Sequence, residues 1–169
     1  MPEISLWLDS YDDIYSDFDS RNYLRRRISE DFLHELRTEL KYKGSHASDM
    51  VLLLPQERRE EAMEKIIADS LKDLFIGQLR FHQDKCRKKL NNGLLLLTCG
   101  VIAMLFNSWI NYQLRESFAL TGLKILLEPA GWFLMWAAFD FLFYDFSELK
   151  RERNFYKELS GIHIHFKPS

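Results

Sequence analysis

Four arginines fall within seven positions near the start of the chain and are the residues best suited to hold a ligand. They are Arg21, Arg25, Arg26 and Arg27. A planar guanidinium group donates two parallel hydrogen bonds to a phosphate. Tyr11, Tyr15 and Tyr23 lie close by in the sequence, and aromatic rings of this kind stack on bases. The cluster therefore predicts a site for a phosphate-bearing ligand.

An acidic loop directly before the arginines supports a second interpretation. Its carboxylates are Asp9, Asp12, Asp13, Asp17 and Asp19. A cluster of mixed charge is more often paired internally than used to bind a ligand, so these groups can neutralise the arginines. The loop lacks the glycine and the terminal glutamate of a calcium loop. We expect its aromatics to pack on a sheet, and we expect no metal site here.

The remaining residues that could do chemistry do not form a catalytic pattern. His34 and His46 are isolated, and His163 and His165 alternate along a predicted strand without a third metal ligand. The chain carries no glycine-rich phosphate loop, nucleophile elbow or zinc spacing. Two cysteines make no disulfide framework. The sequence predicts a protein that is not an enzyme and holds no cofactor.

Two long apolar runs in the middle of the chain predict a membrane hairpin. Gly93–Ile110 has no charged residue and, as a helix, would reach about 27 Å, close to the thickness of a hydrocarbon core. The second run, Phe118–Phe146, contains Pro129, which suits the first turn of a helix. On that interpretation the second crossing runs from Pro129 to Phe146, which places Asp140 inside the membrane; the alternative is a span that starts before Pro129.

Basic residues predict which way the hairpin is oriented. Five lie before the first run and four follow the second: Arg80, Lys85, Arg87, Lys88, Lys89, Lys150, Arg151, Arg153 and Lys157. The connecting segment offers only Arg115 before Lys124. Since basic residues stay on the cytoplasmic side, we expect an inner-membrane protein with both termini in the cytoplasm.

The flanking segments predict a small cytoplasmic α+β domain. Alternating or apolar runs indicate strands at Glu3–Leu8, Asp49–Leu54 and Gly161–Lys167. Between the first two, a helix should begin at Ser29 and stop near Lys43 and Gly44. We expect the last strand to join the first two, because both chain ends face the cytoplasm.

A second helix should begin at Glu57 and run toward the membrane, with a break at Gly77 or at Asn91–Gly93. A polar helix, Ser147–Leu159, should follow the hairpin. The predicted order is β-α-β-α, two membrane helices, α-β. The predicted divisions are 1–90 for the cytoplasmic domain, 91–146 for the hairpin and 147–169 for the helix and strand that complete the domain.

Polar side chains within the predicted spans indicate assembly. Asn107, Asn111, Glu128 and Asp140 would be costly facing lipid. They should face other helices or water, so the lipid bilayer and copies of the same chain are the expected partners, with a tetramer favoured. One hypothesis is an ion channel or pore gated by a cytoplasmic ligand. The alternative is a membrane-anchored scaffold or accessory subunit whose polar groups only hold helices together.

Three stretches carry a resemblance to known proteins. They are WLDSYDDIYSDFDSR, LEPAGWF and FYKELSGIHIHF, and together they resemble a group of uncharacterised prokaryotic two-span membrane proteins. The overall plan also resembles two-span effectors of nucleotide-signalled antiphage defence, including Hailong-type effectors. That resemblance implies an oligomeric channel or membrane disruptor, and it implies that Arg25–Arg27 and the neighbouring aromatics receive a nucleotide or oligonucleotide signal.

Overall fold

The computed structural model describes residues 3–22, 25–43, 48–113 and 118–169. The chain is mostly helical, with a small three-stranded parallel sheet and two long apolar helices. Four residues considered above, Tyr23, Gly44, His46 and Arg115, lie outside the described ranges. The chain divides into two compact units: the sheet unit, Met1–Arg80 with Asn154–Ser169, and the helical unit, Phe81–Arg153.

The sheet consists of β1 (Glu3–Trp7), β2 (Asp49–Leu54) and β3 (His163–Pro168). The strand order is β1-β2-β3 and both pairings are parallel. The prediction that the last strand joins the first two is therefore confirmed. Pro55 ends the apolar run of β2, since proline has no N–H to donate to a strand ladder.

Within the described ranges four α-helices accompany the sheet, and their bounds are α1 (Glu30–Lys43), α2 (Glu61–Gln113), α3 (Phe118–Asp140) and α4 (Phe146–Gly161). A π-helical turn, Phe141–Asp145, lies between α3 and α4. Short 3-10 turns cover Tyr11–Ile14 and Gln56–Arg58.

The core of the sheet unit lies between one face of the sheet and the helices. Alternate strand residues are buried there, namely Ile4, Leu6, Met50, Leu52 and Leu54. Helix α1 contributes Phe32, Leu36 and Leu40, which recur every fourth residue and so lie on one side of the helix. The other helical residues of this core are Ile67, Leu71, Phe75, Tyr156 and Leu159. Burying each large apolar side chain stabilises the fold by about 1.5–3 kcal/mol.

The predicted breaks in the second helix are wrong, because α2 runs unbroken over 53 residues, about 80 Å. Gly77 costs a helix about 1 kcal/mol relative to alanine, and that is too little to end a helix with packed residues on both sides. Gly93 does not end the helix and instead lies at a close contact with a neighbouring segment. A Cβ atom there would lie 2.9 Å from Leu142 Cδ2 in the π-helical turn, so any larger residue would have to shift that leucine side chain.

The predicted helix entrance at Pro129 is also wrong, because Pro129 lies inside α3. Proline in a helix interior costs about 3 kcal/mol, mainly through one lost hydrogen bond and a clash with the preceding turn. The apolar residues on both sides of Pro129 are helix formers, and the helix continues through it from Phe118. The residues from 118 to 128 are therefore part of the same helix as those that follow Pro129.

The helical unit pairs the second part of α2 with α3 in antiparallel directions. Gly93 lies against Leu142, and Gly100 and Met104 lie against Gly131. Small residues at such crossings allow the backbones to approach closely. Both helices are long and apolar enough to cross a membrane. Only 17% and 11% of their most apolar windows are buried, so the apolar surface of this unit faces outward.

Candidate functional site

The arginine cluster lies on a loop that a short antiparallel bridge closes. The bridge joins Tyr15 to Ile28. The Ser16 N–H donates to the Arg27 carbonyl at 2.9 Å, and the Ser29 N–H donates to the Ile14 carbonyl at 2.9 Å. These bonds return the chain to the start of α1, so the arginines lie beside the first turn of that helix.

The acidic side of the loop is held by local hydrogen bonds. Ser10 caps the Tyr11–Ile14 turn and forms a reciprocal pair with Asp13. The Asp13 carboxylate accepts from the N–H groups of Asp9 and Ser10, at 2.7 and 3.0 Å. This carboxylate is therefore used in shaping the turn.

Two other carboxylates pair with the arginines, as the second interpretation predicted. Asp19 accepts from Arg21 Nε at 2.8 Å and Nη2 at 2.7 Å, and also from the Arg27 N–H at 2.8 Å. These bonds, first from the Arg21 side chain and then from the Arg27 backbone, hold the pKa of Asp19 well below its ordinary value. Arg26 Nη1 lies 2.5 Å from Asp12 Oδ1. The internal pairing of the loop is thus confirmed for Arg21 and Arg26.

All four arginines nevertheless line one open cavity of about 420 Å³. The cavity is bounded by α1, α2 and α4, through Ile28, Glu30, Leu33, Leu74, Gln78 and Tyr156. Its volume lies in the range of small-molecule sites. The cavity combines several guanidinium groups with apolar walls, which suits a ligand that carries both a phosphate and a flat apolar part.

Two of the predicted tyrosines, Tyr11 and Tyr15, are not part of this cavity lining. Tyr11 packs edge-on against Phe166, with ring centroids 5.9 Å apart, and its hydroxyl accepts from the Glu60 N–H at 2.9 Å. Burial is the main cause that raises the pKa of Tyr11. Tyr15 is 2% exposed, and the Arg26 guanidinium lies 6.0 Å from its ring centroid. Both rings therefore stabilise the loop against the core, while Tyr23 lies outside the described residues.

None of the six other lining residues was predicted from the sequence as part of the site. Leu74 and Gln78 lie one turn apart on α2, and Tyr156 comes from α4 at the far end of the chain. The four-residue spacing of the first two was a usable signal, since it puts both on one face of the helix. Nothing near Tyr156 in the sequence connects it to the arginines, because only the fold brings α4 to α1.

The four predicted polar residues of the helical unit occupy two kinds of position. Asn111, Glu128 and Asp140 are exposed. Asn107 is half-buried, and its Oδ1 atom is buried without a hydrogen-bond partner among the described residues. The antiparallel contacts of Gly93, Gly100 and Met104 put the level of Asn107 on α2 close to that of Glu128 on α3.

The remaining polar clusters are weaker candidates. His163 and His165 are exposed on β3, as expected, with ring centroids 6.5 Å apart, and His165 Nε2 lies 3.5 Å from Asp49 Oδ1. No group of three or more metal-ligating side chains occurs within residues 3–22, 25–43, 48–113 and 118–169. A second cavity of about 530 Å³ lies beside α1. It shares Glu30 with the arginine cavity, but it adds Asp31 and has one arginine, Arg37, in its lining where the arginine cavity has four, so it is less suited to an anion.

Comparison of the chain with protein-family models, with curated proteins and with solved structures found no match.

Proposed function

We propose that this chain is a two-span membrane protein that assembles with copies of itself and forms a pathway for ions. In this proposal, a nucleotide or oligonucleotide binds the arginine-lined cavity and controls the pathway. The second part of α2 and α3 cross the inner membrane, and both chain ends lie in the cytoplasm. Such a protein would act in antiphage defence by making the membrane permeable when the signal appears.

The observation that carries this proposal is the exposure of Glu128 and Asp140 on helices that are otherwise apolar. A charged group near the centre of a bilayer costs about 2.5–3.5 kcal/mol. Glu128 lies in the middle of α3 and Asp140 ends it, so this cost is largest for Glu128. It would weaken insertion of the hairpin unless something polar covers the carboxylates. Other copies of the chain, or water enclosed between copies, provide that cover.

The polar residues at the level of Glu128 and between it and the loop support the same proposal. Asn107 and Glu128 lie at about the same level, and Lys124 lies one helical turn from Glu128 on α3. Asn111 is exposed one turn beyond Asn107. An assembly of several copies would turn this level into a ring of carboxylates and amides, which is a common lining for a cation pathway.

The arginine cavity provides the ligand part of the proposal. A phosphate group can take hydrogen bonds from several guanidinium groups at once, each charge-assisted bond contributing about 1.5–3 kcal/mol. An anion must compete with Asp12 and Asp19 for Arg26 and Arg21, so Arg25 and Arg27 are its most available contacts.

The continuity of α2 offers a way for the ligand to act on the pathway. Leu74 and Gln78 line the cavity, and the same helix continues without a break to Gln113. Ligand contacts that change the packing of α2 in the cavity therefore act on a helix that also forms the hairpin. The ligand opens the pathway to the extent that it binds the open arrangement more tightly than the closed one.

Ion flux through liposomes tests the pathway. The variant Glu128→Leu with Asp140→Leu should keep the oligomeric mass of the wild type in detergent but lose most of its flux, because the polar lining is removed. The matched control, Glu128→Gln with Asp140→Asn, keeps polar groups of the same shape and should retain flux with altered ion preference. Intact assembly with unchanged flux in the leucine variant would favour a scaffold over a channel.

Ligand binding is tested separately with labelled nucleotides and short oligonucleotides. Replacing Arg25 or Arg27 by glutamine should weaken binding about tenfold per arginine, the effect of about 1.4 kcal/mol. The matched control is Lys72→Gln, since Lys72 is exposed on α2 and does not line the cavity. Binding should also fall as salt rises. Equal losses in the control and the arginine variants would argue against the cavity as the site.

A further inference from the structure

One face of the parallel sheet carries none of the helices of the sheet unit. The core residues of α1, α2 and α4 all pack on the face of Ile4 and Leu52. The opposite face, here called the open face, is formed by Glu3, Ser5, Trp7, Asp49, Val51, Leu53, His163, His165 and Lys167. Parallel sheets occur almost only with both faces covered. The open face is therefore an unusual surface for a protein of this type.

The open face is arranged in three rows, one residue per strand. The first row is Glu3, Asp49 and His163, the second is Ser5, Val51 and His165, and the third is Trp7, Leu53 and Lys167. Acidic groups thus occur on β1 and β2, whereas β3 carries only basic or titratable groups. The central strand adds an apolar pair, Val51 and Leu53. Charge is therefore separated from one side of the face to the other.

Contacts within one copy already cover the middle of the face and leave its rim exposed. Lys167 Nζ lies 3.6 Å from Glu3 Oε2, which brings two long side chains together from opposite edges of the sheet. Val51, in the central strand, is only 2% exposed. Trp7 is 61% exposed although it is the largest apolar side chain of the face.

We propose that the open face packs against the same face of a second copy of the chain, about a two-fold axis that runs along β2. This axis puts β1 of one copy over β3 of the other and places each row over itself. Glu3 then faces His163 of the second copy, and Trp7 faces Lys167 of the second copy, where a cation lies over an aromatic ring. Leu53 meets its own counterpart, as a residue on a two-fold axis must, whereas Val51 stays covered within its own copy.

The charges on the open face select this axis over the alternative. A two-fold axis across the strands would place β3 of one copy over β3 of the other. His163 would then face Lys167 and His165 would face its own counterpart, so the basic strands would repel each other. With the axis along β2, the acid of one copy lies over the basic strand of the other. Asp49 meets its counterpart in this arrangement, with His165 of its own copy beside it at 3.5 Å.

The size of the open face limits what the contact does alone. Three strands about 4.8 Å apart and five residues long cover roughly 240 Å², well below the roughly 800 Å² per partner of a standard interface. The contact would be weak between free molecules. It becomes effective where copies are already held together, which raises their local concentration. The inference therefore rests on the self-assembly in the proposed function.

Thiol crosslinking of the full chain in detergent tests the contact. In a background of Cys86→Ala and Cys99→Ala, the variant Leu53→Cys should form crosslinked pairs with a homobifunctional maleimide that spans about 10 Å, the distance between packed sheets. Ser5→Cys is the matched control, because the axis puts its counterpart two strands away. Ser5→Cys should crosslink at least fivefold less, whereas a mixture of Ser5→Cys and His165→Cys chains should crosslink well.

A double charge swap separates the contact between copies from the contact within one copy. Glu3→Lys with Lys167→Glu keeps an ion pair across the sheet but places a lysine over His163 of the second copy. Crosslinking of Leu53→Cys should fall at least threefold in this background. An oligomer of normal mass in which Leu53→Cys does not crosslink, or crosslinks no better than Ser5→Cys, overturns this contact and leaves the proposed function standing. A monomeric mass overturns both.

Discussion

The sheet unit and the helical unit treat apolar side chains in opposite ways. In the sheet unit, Met50 and Leu52 are fully buried beneath helices. In the helical unit, Leu126 and Phe133 are 70% and 73% exposed. Apolar surface in contact with water is unfavourable by about 25 cal/mol per Å². The two units therefore differ in whether their apolar residues are covered within one copy of the chain, and the exposed ones suit the proposed membrane hairpin.

The two units also treat carboxylates in opposite ways. In the sheet unit, Asp12 and Asp19 lie at the surface and pair with arginines. In the helical unit, Glu128 and Asp140 are exposed on apolar helices. Surface pairs of the first kind contribute little to stability. An exposed carboxylate on an apolar helix would cost free energy in a bilayer, so in the proposed hairpin it indicates a role in function or assembly.

The largest expected effect compares a buried leucine with an exposed isoleucine. Leu52→Ala should lower the free energy of unfolding of the sheet unit by about 2–5 kcal/mol, because it leaves a cavity in the core. Ile125→Ala, at a position that is 66% exposed on α3, should change it by less than about 0.5 kcal/mol. Hydrogen exchange of the β2 amides in detergent measures the free energy of unfolding of the sheet unit in both variants. Equal effects would mean that the two units do not differ as described.

A smaller effect is expected where the two apolar helices touch. A Cβ atom at Gly131 would lie 2.8 Å from Met104 Cγ, whereas one at Gly122 would have nothing within 4 Å. Gly131→Val should therefore destabilise the helical unit by about 1–3 kcal/mol through overpacking. Gly122→Ala should instead be neutral or stabilising by up to about 1 kcal/mol, since alanine favours helix. Thermal unfolding in detergent compares the stability of the two variants. An unchanged unfolding temperature in Gly131→Val would contradict the close packing of Gly131 against Met104.

The smallest effect concerns the acidic loop and depends on pH. The Arg21 side chain and the Arg27 N–H lower the pKa of Asp19. The hydrogen bonds of the Asp19 carboxylate therefore stabilise the folded loop fully above the ordinary aspartate pKa of about 4, and this stabilisation is lost as the pH falls below that value. Asp19→Asn should reduce the exchange protection of the Arg27 amide at neutral pH, and this difference should shrink below about pH 4. Asp17→Asn is the control and should leave that amide unchanged at every pH.

Local patterns predicted those elements whose signals lie within a few residues. The apolar run of β2 ends at Pro55, the face of α1 repeats every fourth residue, and the histidines of β3 alternate outward. The internal pairing of the acidic loop followed from charges close in sequence. Each of these features depends on neighbours that the sequence itself places together.

Features that depend on distant contacts could not be predicted in the same way. Gly93 and Pro129 are both helix-breaking residues by local preference, yet each lies inside a helix. The reason for Gly93 is its contact with Leu142 on another helix. Tyr156 lines the arginine cavity only because α4 packs on the same core as α1. The cavity lining was thus predictable for its arginines but not for its walls.

The most direct test of the membrane hairpin is the sidedness of the two chain ends in inside-out vesicles from cells that produce the full chain. Tags at the N and C termini should both be cut by protease added outside the vesicles, and the protein should remain in the membrane after alkaline extraction. Protection of one tag with cutting of the other, or release of the chain into the soluble fraction, would contradict a hairpin that enters and leaves the bilayer from the cytoplasm.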